Sequence, residues 1–398
     1  MLKWLVVHRA LRWALVGVLL SVLSNDLFEG SFVPATVMLA MPAWVIAARA
    51  NLSVGLDFAS PLAGWLVGRK GAFACLTAAE LLEGTLLIAV WAWFLSVGAN
   101  SWLLFALSVF LLATGQLIDV AAEVFETDAA GDDDDALISY VGVLTVASAV
   151  LGLLVGRYLG AVLAVTSIEY LLLASGLLSL GAAATRFVSR KEAAPAAEDF
   201  LQAGAAVPAK KRARDASRRA KVQLLAVSAA LGFASAFWLP YTIRHWGQLH
   251  GTWTMTYITL ASGVGTVLAA ILFMIGATRL GMLPFGRFSL AGAVVGLGIV
   301  AVSSDWLLLG VAIAVGGTSA LARVSVTARQ LLMRGKNLAA FAGRVRLKFA
   351  VCAAAGSWLG WFAIQHVTPS TLAGVTAIVF ILVLPATGSF PQKKAVTG

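Results

Sequence analysis

Apolar residues run along this chain in about a dozen long stretches separated by short polar punctuation. They lie near 11–34, 43–66, 72–95, 102–124, 137–162, 166–187, 222–244, 252–275, 283–302, 306–328, 342–364 and 368–386. A helix of about 20 apolar residues crosses the ~30 Å hydrocarbon layer of a bilayer, so each stretch predicts a transmembrane helix. Twelve such spans place both chain ends on one side of a membrane. Certain marks of the first half return some 200 positions later. The expected fold class is therefore an all-α membrane protein of 12 transmembrane helices in two pseudo-symmetric six-helix bundles, the organisation of secondary transporters. The expected domains are an amino-terminal bundle over 1–188, a cytosolic basic linker over 189–221 and a carboxy-terminal bundle over 222–398.

Composition removes the main competitor. Of 398 residues, 60% are hydrophobic and only 12% charged, and a soluble fold of that composition would leave large apolar patches in water. Cys75 and Cys352 both fall inside apolar stretches. They read as small buried hydrophobes, with no thiolate metal site or disulfide framework. Lys3, Arg9 and Arg12 precede an apolar run, but polar Ser24, Asn25 and Asp26 follow it where a cleavage site would need small residues, so the first helix reads as an uncleaved anchor.

The net charge of +10 is an orientation signal. With the amino terminus in the cytosol, all of the 29 Lys and Arg except Arg49, Arg157, Arg244 and Arg323 fall at inner ends and loops. That bias predicts both termini cytosolic in a bacterial inner membrane, and no nucleic-acid partner. The linker holds Pro195, Pro208 and the cluster Lys210, Lys211, Arg212, Arg214, Arg218 and Arg219, which suits anionic lipid headgroups. The run Asp132 to Asp135 lacks calcium-loop spacing and reads as a solvated acidic turn.

Span two ends in Gly64-Trp-Leu-Val-Gly68-Arg69-Lys70-Gly71, and span eight in Gly276-Ala-Thr278-Arg279-Leu280-Gly281; Arg-x-Gly recurs 210 positions on. Span five carries Gly152, Gly156 and Gly160, and span eleven carries Gly356 and Gly360, displaced by 204. Small residues four apart line one helix face and admit a close neighbour. Over essentially its whole length the chain resembles the major facilitator superfamily. Gly64, Leu66, Arg69 and Gly71 match that family's loop signature Gly-x-Leu-x-Asp-Arg-x-Gly-Arg-Arg, while Gly68 replaces the aspartate and Ala72 and Phe73 replace the basic pair. The glycines of span five resemble its antiporter motif, with Arg157 in place of proline. Ser24-Asn25-Asp26 and Gly343-Arg344 resemble the efflux group of enterobactin exporters and lysophospholipid transporters. The ferroportin branch also tends to carry an aspartate at this place in helix one.

Charge within a membrane costs about 2.5–3.5 kcal/mol per residue on insertion scales and persists mainly where it faces a cavity or a partner. In the fold implied by the resemblance, helices one, four, seven and ten line a central cavity. The candidate substrate or proton-binding residues are Asp26, Glu29, Asp57, Arg157, Trp238, Tyr241, Arg323 and Trp358. The candidate gating residues are Arg69, Lys70, Asp119, Glu123, Arg279 and Arg344, with Asp119 and Glu123 placed to pair with Arg69 or Lys70. For Asp26 and Glu29 the competing role is a fixed pair with Arg49 or Arg157 that holds helices together. Glu80 and Glu83 read as structural, on a helix facing away from the cavity.

The expected function is that of a monomeric secondary active transporter, not an enzyme. It exports a small amphipathic molecule, a drug or siderophore, with proton antiport as one form of coupling and no cofactor. Lysophospholipid flipping and metal-cation export are alternatives on the same fold. A membrane-embedded polyprenyl-diphosphate transferase would need a second acidic cluster, which the second half lacks, and a non-transporting sensor or scaffold is the remaining class.

Overall fold

The computed structural model describes residues 9–42, 44–131, 133–202, 216–250, 252–333 and 335–391. Within them the chain is helical, with no strand. The order is α1 (Arg9–Met38), α2 (Trp44–Asp57), α3 (Ser60–Lys70), α4 (Ala72–Val97), α5 (Ser101–Ala130) and α6 (Asp134–Ser148), then a π-helical segment (Ala149–Gly156), α7 (Arg157–Thr166) and α8 (Ile168–Gln202). There follow α9 (Arg218–Phe237), α10 (Leu239–His250), α11 (Thr252–Leu280), α12 (Met282–Val302), α13 (Leu307–Leu332), α14 (Gly335–Ala363) and α15 (Pro369–Val383), and a closing 3-10 turn (Leu384–Ser389).

Local chemistry sets these boundaries. Gly71, Gly98, Gly131 and Gly281 adopt positive φ at helix ends, a conformation that costs other residues energy. Asn100 caps α5, its side-chain oxygen accepting from the Trp102 and Leu103 amides at 2.9 and 3.0 Å. Asn100→Ala is expected to cost about 1 kcal/mol of stability, measured by equilibrium unfolding in micelles. Thr368 caps α15, whose first residue is Pro369.

Ten helical segments among the described residues are long and apolar enough to cross a membrane. Spans two and eleven of the sequence reading are the two that do not qualify. Span two is broken at Phe58 and Ala59 into α2 and α3, with Pro61 at the start of α3. Span eleven lies in α14, whose first half carries Arg344, Arg346 and Lys348 and leaves an apolar run shorter than a straight crossing needs. The segment expected as a linker begins inside α8, which runs to Gln202, while its residues 203–215, with Lys210, Lys211, Arg212 and Arg214 of the basic cluster, lie outside the described residues.

The chain divides into two compact units, Met1–Arg214 with Arg334–Gly343, and Asp215–Met333 with Arg344–Gly398. In the first, α1 packs along α8 and α7, and α4 packs on α8 and α5. Leu27, Phe28 and Phe32 of α1 meet Leu87 of α4, Leu107 of α5 and Leu171 of α8 in one apolar cluster. In the second, α13 packs between α12 and α11, while α15 lies on α12. Lipid tails are as apolar as leucine, so these contacts rest on close packing and internal polar bonds more than on water exclusion.

Candidate substrate and proton site

The glycine stripe of span five seats α1. A Cβ on Gly152 would collide with the Asp26 carboxylate, one on Gly156 would lie 2.8 Å from Asp26 Cβ, and one on Gly160 would meet the Leu27 carbonyl. The approach is mutual, because a Cβ on Gly30 would lie 2.5 Å from Arg157 Cα. Two helix backbones therefore touch where Asp26 and Arg157 face each other. Arg157 Nε donates to Asp26 Oδ1 at 3.1 Å. The Arg157 side chain keeps 56% of its surface exposed and that of Asp26 20%. The π-helical segment ends at Gly156, directly before Arg157. Such widened turns are frequent at functional positions because they rotate the next side chain off the regular helical phase.

One turn along α1, the Glu29 carboxylate receives both terminal nitrogens of Arg49 from α2. The same guanidinium lies 4.5 Å from the centre of the Phe32 ring, and its Nε is buried without a hydrogen-bond partner among the described residues. Both acids singled out on span one are thus engaged by the two arginines considered as structural partners. The pairs hold α1 to α7 and to α2 at once.

A deeper polar layer was missed by the sequence. Arg186, read as one of the basic residues bounding the linker, is 1% exposed and reaches Glu80, itself 0% exposed, with Nη2 to Oε1 at 3.0 Å. Its Nη1 donates to the Ala14 carbonyl at 2.9 Å, so one guanidinium ties α8 to α4 and α1. Glu83 accepts from the Thr114 hydroxyl and, at 3.4 Å, from that of Ser179. Tyr140 donates to Glu126 at 3.2 Å. The available signal was Glu80 itself, a buried acid that needs a cation on a packed neighbour.

Of the remaining first-unit candidates, Asp119 lies within electrostatic reach of Glu83 in this layer. Asp57 is half-buried at the end of α2, Arg69 and Lys70 are exposed at the end of α3, and Asp119 is exposed while Glu123 is buried on α5. Arg69 lies 5.3 Å from the Trp65 ring. Among the described residues no three His, Cys, Asp or Glu come together as a metal site would require.

In the second unit, Gly356 packs on Phe233 and Gly360 on Phe237 and Tyr241, repeating the glycine contact of α1. The Tyr241 hydroxyl donates to the Ser357 carbonyl at 2.5 Å, and Phe233 stacks on Phe237 with centroids 4.4 Å apart. Trp238 is 2% exposed. Trp358 is 71% exposed, and Arg323, Arg279 and Arg344 are exposed on α13, α11 and α14.

No family model matches the chain, and no curated protein matches its sequence. Solved structures do. A bacterial homologue of the iron transporter ferroportin in an outward-facing state superposes with a TM-score of 0.65 at 16% identity, over 95% of this chain and 98% of that one. The major facilitator transporter FucP gives 0.65 at 14% identity, over 96% and 99%. The human organic anion transporter MFSD10 gives 0.64 at 15%, over 95% and 99%. This chain has the major facilitator fold. At such identities the likeness establishes architecture, and the Asp26–Arg157 and Glu29–Arg49 pairs are features of this chain's own residues within that fold.

Proposed function

We propose that the protein is a secondary active transporter that works by alternating access and moves a small amphipathic molecule across the membrane, with protons bound and released at Asp26. The observation that carries this reading is the Asp26–Arg157 pair: two opposite charges meet inside membrane-spanning segments, with the cation still accessible. An ion pair with an accessible cation can exchange its partners during a cycle, because water or an incoming anion can replace one of them. Its neighbour Glu29–Arg49 is more enclosed on the arginine side and anchors α1 while the Asp26–Arg157 pair changes. In this reading the protein works as a monomer in a bacterial inner membrane, with both termini cytosolic and the basic linker on anionic headgroups. Protonation of Asp26 removes the charge that holds Arg157, and loss of the proton restores it; the two states of α1 against α7 supply the switch that alternating access needs.

The test is Asp26→Asn in proteoliposomes. Flux driven by a pH gradient is expected to fall to the level of protein-free vesicles, while exchange of cargo without a gradient persists. Undiminished pH-driven flux in this variant would remove Asp26 from the coupling step.

A further inference from the structure

We propose that Arg157 is the recognition point for an anionic group, carboxylate, sulfonate or phosphate, on the cargo. This rests on the transport reading above and names its substrate class. Among the described residues the Arg157 guanidinium spends only Nε on the protein, donating to Asp26 at 3.1 Å. Its Nη1 and Nη2 make no hydrogen bond there, and the side chain is 56% exposed. A guanidinium in a membrane-spanning segment faces hydrocarbon only at high cost, so that exposed fork opens on water or on an anion. Two parallel N–H groups in a plane match the two oxygens of a carboxylate or phosphate, which a lysine cannot do.

The fork is also held in place before any ligand arrives. Its backbone touches α1 at Gly30, and the Asp26 carboxylate that grips Nε is itself confined by Gly152 and Gly156. Arg157 therefore has little freedom to lose on binding, which favours affinity. Among the described residues, Asp26 from α1 is the acid that the Arg157 guanidinium meets, and Glu29 stands one turn along the same helix. Glu29 is engaged by Arg49, so Asp26 is the anion that competes with cargo. A proton on Asp26 releases the full guanidinium charge, and anion binding and proton binding then reinforce one another.

Two xanthene dyes of opposite charge separate the possibilities. Fluorescence anisotropy with purified protein in neutral detergent is expected to show carboxyfluorescein binding that weakens roughly tenfold or more in Arg157→Gln, weakens less in Arg157→Lys and tightens in Asp26→Asn. Rhodamine 6G binding should not follow this order. Adding phosphatidylglycerol distinguishes sources: displacement of carboxyfluorescein from wild type identifies a lipid headgroup as a competing owner of the same anion site, and no displacement points to a soluble anion. Carboxyfluorescein binding that is absent in wild type, or unchanged in Arg157→Gln while the variant remains monodisperse, overturns the proposal. In proteoliposomes, transport of rhodamine 6G with exclusion of carboxyfluorescein would overturn it and leave the transporter reading standing. Failure to bind and to move either dye would count against both.

Discussion

Arg186→Ala is expected to destabilise the first unit by about 3–5 kcal/mol, the usual cost of stranding one member of a buried ion pair. Glu80 would remain at 0% exposure between α4 and α8 with its cation gone, and the Ala14 carbonyl would lose the Nη1 donor. The void left by the side chain adds lost contacts, including those with Phe125, whose ring centre lies 5.7 Å from the guanidinium carbon. Equilibrium unfolding in mixed micelles measures the effect. The double change Glu80→Met with Arg186→Met removes both charges and keeps most of the volume, so it should recover most of the loss. A single Arg186→Ala protein that unfolds at the wild-type midpoint would show that the pair contributes nothing to the fold.

Gly160 offers the second large effect. A methyl group there would meet the Leu27 carbonyl, with the carbonyl carbon at 2.8 Å and Leu27 Cα at 3.1 Å, all backbone atoms that have no rotamer to change. The helices α1 and α7 must separate to admit it. Gly160→Ala is expected to cost about 1–3 kcal/mol, in the range for overpacked cores, and Gly160→Leu more. Either change also draws Asp26 away from Arg157, so transport falls along with stability. Gly115→Ala is the control: it lies in the interior of α5, where, apart from its chain neighbours and its own helix backbone, no atom of the described residues lies within 4 Å of the added methyl. There the helix gains up to about 1 kcal/mol from the lower entropy of the new residue. If the two alanine variants behave alike, close backbone contact is not what the glycine stripe provides.

The glycine stripe shows how far the sequence reaches. Spacing of four residues fixes that Gly152, Gly156 and Gly160 share a helix face, and small size fixes that something approaches closely. Neither spacing nor size names the partner. The same limit holds for the acids. Cost alone marked Asp26 and Glu29 as needing a cavity or a cation, and it offered Arg49 and Arg157 as partners without saying which acid takes which arginine. Only the positions of α1, α2 and α7 assign Arg157 to Asp26 and Arg49 to Glu29.

Arg186 was misplaced for a related reason. At the end of an apolar run followed by more cations it carries the same local pattern as a solvated basic flank. The turn of α8 that directs it inward to Glu80 depends on α4 and α1, over a hundred residues away in sequence. The break in span two did leave a mark, since Asp57, Ser60 and Pro61 flank Phe58 and Ala59 and a proline belongs at the start of a helix, but hydropathy averaged over the span does not record it. The π-helical segment before Arg157 left no mark, because widening a turn changes hydrogen-bond register and not composition.

By itself the sequence determined a chain of membrane-crossing helices, its repetition in two halves and the residues whose charge demanded an explanation. Those properties follow from hydropathy, spacing and counting, which are local. The tertiary structure alone decided which charges meet, which are enclosed and which remain accessible. Pairing is a property of distance in space, and an arginine next to an acid in the fold reads the same in the sequence as one facing lipid headgroups.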